Sequence, residues 1–590
     1  MFYVLHFVRD FLKQNKLRYF LGSITVLIED VMVVLPTYLI GKLIDAWIDG
    51  SLSSELVKRY FIYMIIILVV GYVSEVAWTY LIFGTSQMYN HDVKKRLVRL
   101  FLRRRSIFYE RFSSGDLMTR TTQDSMYVSD MLGWGVEIVV ASGFYALVLL
   151  FMMFTQADTR LVLLSMLPYL LYFYLISKNS VKVERLWQEQ QEAFSKLNDS
   201  VLEGVEGLRN IRAYAKDELF RQRFEQKTSE LCDMNCRLAI YTSAYGPSSY
   251  LAAIVTTLLS LGVGSYFVQS GSMTMGQLIT FQVYLSSFVG PVGQFGEFFN
   301  LLQNANNSAR RLNDLFTSTD KMEDAEGMPE HFEQLRAQNY RFRYPSSEKD
   351  NLSAIEFELK PGKTLGIVGK TGSGKTTLIR QLQRQFPAGE GDFFINGEKL
   401  SELRPDGLNK IISFVEQDTM VFSGSIRDNL RFAAPEASDE TLLEALHMAG
   451  FDMGTERMKE GLDTVIGEQG ITLSGGQRQR VTIARALLTQ PEVLVIDDAL
   501  SAVDAETESK ILSRLAKLRE GKANIISAHR LSSVENADEI LVLDKGKIFD
   551  RGTHQELIAR EGWYREQAIL QNMNVGPLAQ PSSKAKQALA

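Results

Sequence analysis

Two runs of residues in this chain have the types and spacing to handle a phosphorylated ligand and its counter-ion. Gly369-Lys370-Thr371-Gly372-Ser373-Gly374-Lys375-Thr376-Thr377 follows the apolar run Leu365-Gly366-Ile367-Val368 and precedes a helix-like stretch, Leu378-Ile379-Arg380-Gln381-Leu382. A G-x-x-x-x-G-K-[ST] loop between strand and helix cradles phosphates. Its glycines let backbone N–H groups turn toward the oxygens, Lys375 supplies charge at the β/γ-phosphates, and the Thr376 hydroxyl can bind Mg²⁺. Further on, Val493-Leu494-Val495-Ile496 ends in Asp497-Asp498. A carboxylate at a strand end is suited to holding Mg²⁺, directly or through water, and a second one beside it can take a proton from an attacking water.

These runs need a parallel α/β scaffold, and only the second half of the chain reads as one. At 590 residues the chain should hold several domains. Up to about Gln303, long apolar stretches alternate with basic, polar ones; from about Asn304 the composition is that of a soluble α/β protein. The net charge of −5, with basic residues not pooled on one segment, gives no sign of nucleic-acid binding. Cys232 and Cys236 form neither a disulfide framework nor a zinc site and read as ordinary helix residues. The start, Met1 to Leu17, reads as an amphipathic helix rather than a cleavable signal peptide.

Spanning a bilayer as helix takes about 20 predominantly apolar residues. Six windows qualify: 19–40, 61–83, 134–154, 160–176, 245–268 and 277–302, with Pro36, Pro168 and Pro291 tolerated inside the first, fourth and sixth. The connections after the second and fourth windows are long and rich in Lys and Arg, including Lys94, Lys95, Arg96 and Arg103-Arg104-Arg105; those after the first, third and fifth are short, the first carrying Asp45 and Asp49, the third Asp158 and the fifth no basic residue. The positive-inside rule puts the long loops, both termini and the α/β half in the cytosol. Residues 84–130 and 177–244 show helical periodicity, so each reads as two membrane helices extended into the cytosol and joined by a turn. The expected layout is a membrane α-helical domain at 1–303, a linker at 304–334, an α/β P-loop domain at 335–572 and a disordered tail at 573–590.

Between the two phosphate-handling runs lies Leu473-Ser474-Gly475-Gly476-Gln477. The three together resemble the nucleotide-binding domain of ATP-binding-cassette (ABC) transporters, and the order of the two halves resembles an ABC exporter half-transporter over nearly the whole chain. The resemblance implies ATP and Mg²⁺ as cofactors. It makes Tyr344 the aromatic that stacks on adenine, and Gln417 the Q-loop residue that senses the γ-phosphate and Mg²⁺. Ser501-Ala502-Val503-Asp504 becomes the D-loop and His529 the switch histidine. Two further stretches, Phe108-Tyr109-Glu110 through Arg120 and Gly207 through Tyr214, resemble the family's two coupling segments.

In most such domains a Glu follows the Walker-B Asp as base; here it is Asp498, one methylene shorter. A general base contributes roughly 10²–10⁴-fold, and a misplacement of about 1 Å can cost on the order of 10². The chain therefore resembles the Asp-bearing subunit of heterodimeric bacterial multidrug exporters, a likeness carried by Ile496 through Asp504 and Gly552-Thr553-His554-Gln555-Glu556-Leu557. In that family Ser474, Gly475, Gly476 and Gln477 would meet the γ-phosphate bound on the partner's phosphate loop. The implied arrangement is a degenerate, slow site on this chain's Walker motifs and a competent site completed by its intact signature on a partner with a Walker-B Glu. The alternatives are a homodimeric lipid or peptide flippase with Asp498 as working base, or a regulatory, non-transporting ABC protein.

Ionisable residues inside membrane helices are functional candidates by default. Glu29, Asp30, Glu75 and Glu297 are the candidates for contacting substrate, with Glu137 near a membrane boundary. With Tyr72, Trp78, Phe295, Phe298 and Phe299 they would suit a small amphipathic cation. The expected location is a bacterial plasma membrane, in contact with its lipids.

Overall fold

A computed structural model describes residues 3–573, apart from 244, 319–326, 455–457, 468–472, 500–504 and 572. The chain divides into two compact units, one of residues 1–100 and 115–317, the other of residues 101–114 and 318–590.

The first unit is helical. Among the described residues, five of its helical stretches are long and apolar enough to cross a membrane: Lys16–Ile48, Ser54–Phe101, Ser114–Gln156, Thr159–Asn179 and Asp217–Gln269. Large apolar side chains such as Phe61, Leu68, Leu147 and Leu170 are more than 60% exposed along them, as a lipid solvent requires and water does not allow over so wide a surface. Pro36 and Pro168 sit inside continuous helices, Lys16–Ile48 and Thr159–Glu206. Pro291 does not. The window 277–302 is carried by two helices, Met275–Ser287 and Val289–Thr317, that meet at Phe288. Proline removes one helical N–H and crowds the preceding turn, so the single sixth span expected from the sequence is divided here. Residues 304–317, expected in a linker, continue the second of these helices.

The helix from Ser114 to Gln156 holds two wider π turns, Arg120–Asp124 and Ile138–Ser142. Thr159–Glu206 is 48 residues long, and the six-residue helix Leu208–Ala213 follows it before Asp217–Ser243. Cys232 and Cys236 are free and exposed on this last helix.

Polar contacts pin the helices of this unit to one another. Asp45 accepts from the Thr274 hydroxyl at 2.8 Å and from the Gly276 N–H at 2.7 Å, so a residue of the first helix caps the start of Met275–Ser287. Here the backbones come very close: a Cβ at Gly276 would lie 2.1 Å from the Gly41 carbonyl oxygen. Buried Asp124 accepts from Ser308 at 2.8 Å, and Arg311 donates to Asp116 at 2.8 Å.

The second unit is built on a six-stranded sheet in the order Lys547–Gly552, Glu539–Asp544, Thr364–Gly369, Ala523–Ser527, Val493–Asp497, Ile412–Val415. The last five run parallel and the first is an antiparallel edge. All five residues of Val493–Asp497 are buried, as a central parallel strand covered on both faces demands. Leu335–Phe342, Leu352–Leu359, Glu390–Ile395 and the short Glu398–Lys399 form a second, antiparallel sheet. Leu335, Ile355, Leu378 and Val493 lie in one core that joins the two sheets. The segment Phe101–Ser114 belongs to this unit: Ile107 packs on the same core, and the Ser106 N–H donates to the Gln385 carbonyl at 2.9 Å.

Candidate functional site

In an open parallel sheet, ligands bind beyond the carboxyl ends of the strands. Three neighbouring strands of the six-stranded sheet end here at Gly369, Asp497 and Ser527. A cavity of about 610 Å³ opens at those ends, lined by Thr371 through Thr377, Gln417, Asp497, Asp498 and His529. Residues far apart in the chain, some picked out by type and spacing and others (Gln417 and His529) by the resemblance, therefore converge on one place.

The phosphate loop has the backbone that its glycines permit. A Cβ on Gly369 would lie 2.2 Å from the Leu543 carbonyl oxygen, and Gly374 takes a φ of 107° as it opens the helix Lys375–Leu382. Lys375 is buried, and its ammonium donates to the carbonyls of Gly369 at 2.8 Å and Lys370 at 3.3 Å. Burial lowers its pKa from the ordinary lysine value, against the opposing pull of Asp498 and Asp497. The lysine is held at the loop, ready to face phosphate.

Asp497 is 4% exposed, and among the described residues its Oδ1 has no hydrogen-bond partner. Burial raises its pKa above the ordinary carboxylate value, opposed by the Ser527 and Thr376 hydroxyls. A buried acceptor without a donor is costly, and a cation is the partner that would relieve both the charge and the orphaned oxygen. Among the described residues no three His, Cys, Asp or Glu gather as a metal site. One carboxylate and one hydroxyl suit a Mg²⁺ that is otherwise held by water and the nucleotide's phosphates. The donor set fits the ion.

Asp498 leaves the strand with a φ of 46°, a left-handed conformation that Asp tolerates better than most residues. Its N–H donates to the Ser527 carbonyl at 2.8 Å, locking that bend. The side chain then turns across the cavity: Gln417 Nε2 reaches Oδ2 at 3.5 Å, and the His529 N–H reaches Oδ1 at 3.4 Å.

Tyr344 is placed beside the loop rather than among the residues lining this cavity. Phe342 and Phe386 pack against its ring at centroid distances of 4.9 Å, and its hydroxyl meets Thr377 at 3.2 Å. Ser474 and Gln477 form a reciprocal cap at the start of the helix Gly475–Leu488, with bonds of 2.9 and 3.2 Å. Ser474 is exposed, and the signature is absent from the cavity lining. Leu500 and the D-loop residues Ser501–Asp504 lie outside the described residues, as does the tail beyond Met573.

Sequence reading missed two supports. The turn Lys545-Gly546 lines the cavity and donates from the Gly546 N–H to the Ser373 carbonyl at 2.9 Å. Gln571 brackets His529, accepting from Leu531 N–H at 2.9 Å and donating to the His529 carbonyl at 3.2 Å. Lys545-Gly546 carries a turn signal but none for phosphate, and Gln571 carries no local signal at all.

In the membrane unit, the Trp78 indole N–H donates to Glu29 Oε2. The sequence suggests Trp78 as a wall for cations; in the structure it occupies one oxygen of the neighbouring carboxylate. Asp30 is buried, and among the described residues its Oδ2 has no hydrogen-bond partner. Glu29 lies within electrostatic reach of Glu75 and Glu137, and Asp30 of Glu29 and Glu137. Glu75 and Glu297 are exposed on the single chain, and the side chain of Phe295 lies outside those described.

A phosphate loop at the end of a parallel strand, a buried Mg²⁺-type carboxylate and a separate capped signature helix define a P-loop ATPase unit, here on the same chain as a membrane-spanning helical unit. Comparison with known proteins agrees in both halves. Residues 19–292 match the family described as ABC transporter transmembrane region, and residues 352–501 match the family described as ABC transporter. The chain is 36% identical over 569 residues to the probable multidrug resistance ABC transporter ATP-binding/permease protein YheI of Bacillus subtilis, covering 96% of this chain and 97% of that one. It is 34% identical over 551 residues to the multidrug resistance-like ATP-binding protein MdlA of Escherichia coli, covering 93% of each. The chain belongs to the ABC transporter family: a multi-pass membrane protein whose cytoplasmic ABC domain is an ATPase coupled to transport.

Proposed function

We propose that this chain is one half of a two-chain exporter that moves amphipathic drugs or lipids out of the cytosol or inner leaflet, and that its own Walker motifs build the slower of two ATP sites. The observation that carries this reading is Asp498. It stands where the attacking water needs a base, its side chain is one methylene shorter than Glu, and its oxygens already face Gln417 and the His529 N–H. The separation of the signature from the cavity supports pairing, since Ser474 through Gln477 need a phosphate loop other than their own. The relatives named for multidrug resistance support drug export.

When bound, Mg²⁺ would be held by Asp497 and the Thr376 hydroxyl, with Gln417 beside them, and would supply positive charge against the phosphates. Lys375 supplies the fixed positive charge, and the loop N–H groups orient the phosphates. Asp498 orients the water and takes its proton, and the short reach makes that step slow. Tyr344 presents its ring to the base. Closure of two such domains on ATP would turn the membrane cavity outward, where Glu29, Asp30, Glu75 and Glu297 are the candidate contacts for a cationic substrate.

ATPase activity of the purified chain alone tests this reading, with Lys375→Ala as the blank and nucleotide binding as the folding control. Bound ATP without turnover is the expected result, and a partner with a Walker-B Glu should restore turnover. Turnover by the chain alone that Lys375→Ala abolishes would mean a homodimer in which Asp498 suffices.

A further inference from the structure

Beside the antiparallel sheet of the second unit lie two buried donors with nothing to donate to. Arg105 and Gln381 are 7% and 3% exposed, and among the described residues Arg105 Nε and Gln381 Nε2 have no hydrogen-bond partner. Both side chains line a cavity of about 30 Å³, with Tyr340, Arg384 and Asp392 among its other walls. That is roughly twice the room that one water needs. None of these residues lines the nucleotide cavity.

Local bonds set which atoms are left as donors. The Gly389 N–H donates to the Tyr340 hydroxyl at 3.0 Å, and the hydroxyl gives its own proton to Gln381 Oε1, 2.7 Å away. The amide is thereby oriented, with Nε2 as its remaining donor. Arg105 immediately precedes the helix Ser106–Arg111, and the bond of 2.9 Å from the Ser106 N–H to the Gln385 carbonyl holds that helix start on this unit. Arg384 is buried as well, its guanidinium donating to the carbonyls of Ser401 and Leu403. Asp392, the carboxylate of the cavity wall, is paired with Lys399 at 3.0 Å.

We propose that this cavity binds a small monovalent anion, about the size of chloride, held by Arg105 Nε and Gln381 Nε2. A buried donor without an acceptor is costly, and a buried charge without a counter-charge more so. A water accepting from both nitrogens would meet only the first requirement. An anion meets both, and the cavity suits one small ion rather than a phosphate group. The ion would neutralise Arg105 where the segment Phe101–Ser114 joins the core, and so stabilise the folded unit.

Thermal unfolding of the full-length chain in nanodiscs tests this. Potassium chloride is set against potassium gluconate at equal ionic strength, so that screening is the same, and ATP binding is the folding control. Wild type should melt about 2–4 °C higher in chloride, and the rise should saturate with chloride concentration. Arg105→Gln should abolish that rise. Gln381→Glu keeps an acceptor for Tyr340 and sets a carboxylate where the ion would sit. It should melt in gluconate at least as high as wild type does in chloride, with no further rise on adding chloride. In bromide-soaked crystals an anomalous peak should touch both nitrogens. A wild type indifferent to chloride, an equal response in Arg105→Gln, or a cavity holding water and no bromide would overturn the proposal. If Arg105→Gln does not fold, Gln381→Glu and the bromide peak decide it.

Discussion

Lys375, Asp497, Asp498 and His529 leave neighbouring parallel strands or the loops just beyond them, so one sheet fixes all four. Glu29 and Asp30, Glu75, and Glu137 come instead from three separate helices, Lys16–Ile48, Ser54–Phe101 and Ser125–Glu137. Their mutual positions depend on how those helices pack. The first arrangement is set by backbone hydrogen bonds and by glycines that admit no other residue; the second can be changed by sliding a helix. A site that must do the same chemistry at each turnover gains from the first kind of construction. A site that must admit and release a substrate gains from the second.

Perturbations of decreasing size test this contrast. Lys375→Ala should remove the charge that the loop holds against phosphate and lower turnover at this chain's own site by about 10²-fold or more, read from single-turnover hydrolysis with the partner's base removed. Turnover retained there would mean that the cavity is not where this chain handles ATP. Asp498→Glu should restore the missing methylene and raise turnover at this site by roughly 10-fold or more. Single-turnover hydrolysis with the partner's base removed would show it, and an unchanged rate would mean that Asp498 already works as base.

In the membrane unit, Gly276→Ala forces a methyl against the Gly41 carbonyl and the Asp45 carboxylate. It should cost about 1–3 kcal/mol and lower the midpoint of thermal unfolding in detergent; an unshifted midpoint would mean that the two helices separate there without loss. The smallest effects are expected at the carboxylates. Glu29→Gln and Asp30→Asn should weaken export of cationic dyes by a few-fold, about 1 kcal/mol or less, and leave neutral dyes nearly unaffected. Equal loss of both would remove charge recognition from this cluster.

The same contrast governs what was legible in the sequence. The phosphate loop, the Walker-B strand and the switch histidine are local strings whose physical requirement lies in neighbouring residues, and the structure brings them into one cavity. Five apolar windows fall on helices, since hydropathy is itself the physical cause. The break at Phe288 was not legible, because Pro291 is three residues away and proline is tolerated in the other two helices that contain it. Gln571 escaped notice because its role depends on a loop forty residues earlier in the chain. The Trp78–Glu29 bond joins two helices and could not be read from either alone.

The π turn Ile138–Ser142 lies immediately after Glu137. A turn closed by i→i+5 bonds holds one residue more than an α turn, so in sequence terms it is an insertion absorbed without breaking the helix. An α-helix rotates about 100° per residue. Losing one residue from this turn would return it to α geometry with nearly the same total rotation, so Glu137 and the residues beyond Ser142 would keep their faces. A relative shorter by that single residue would keep its spans, its ATPase motifs and the facing of its membrane carboxylates, the wide turn being where the chain takes up a change of length.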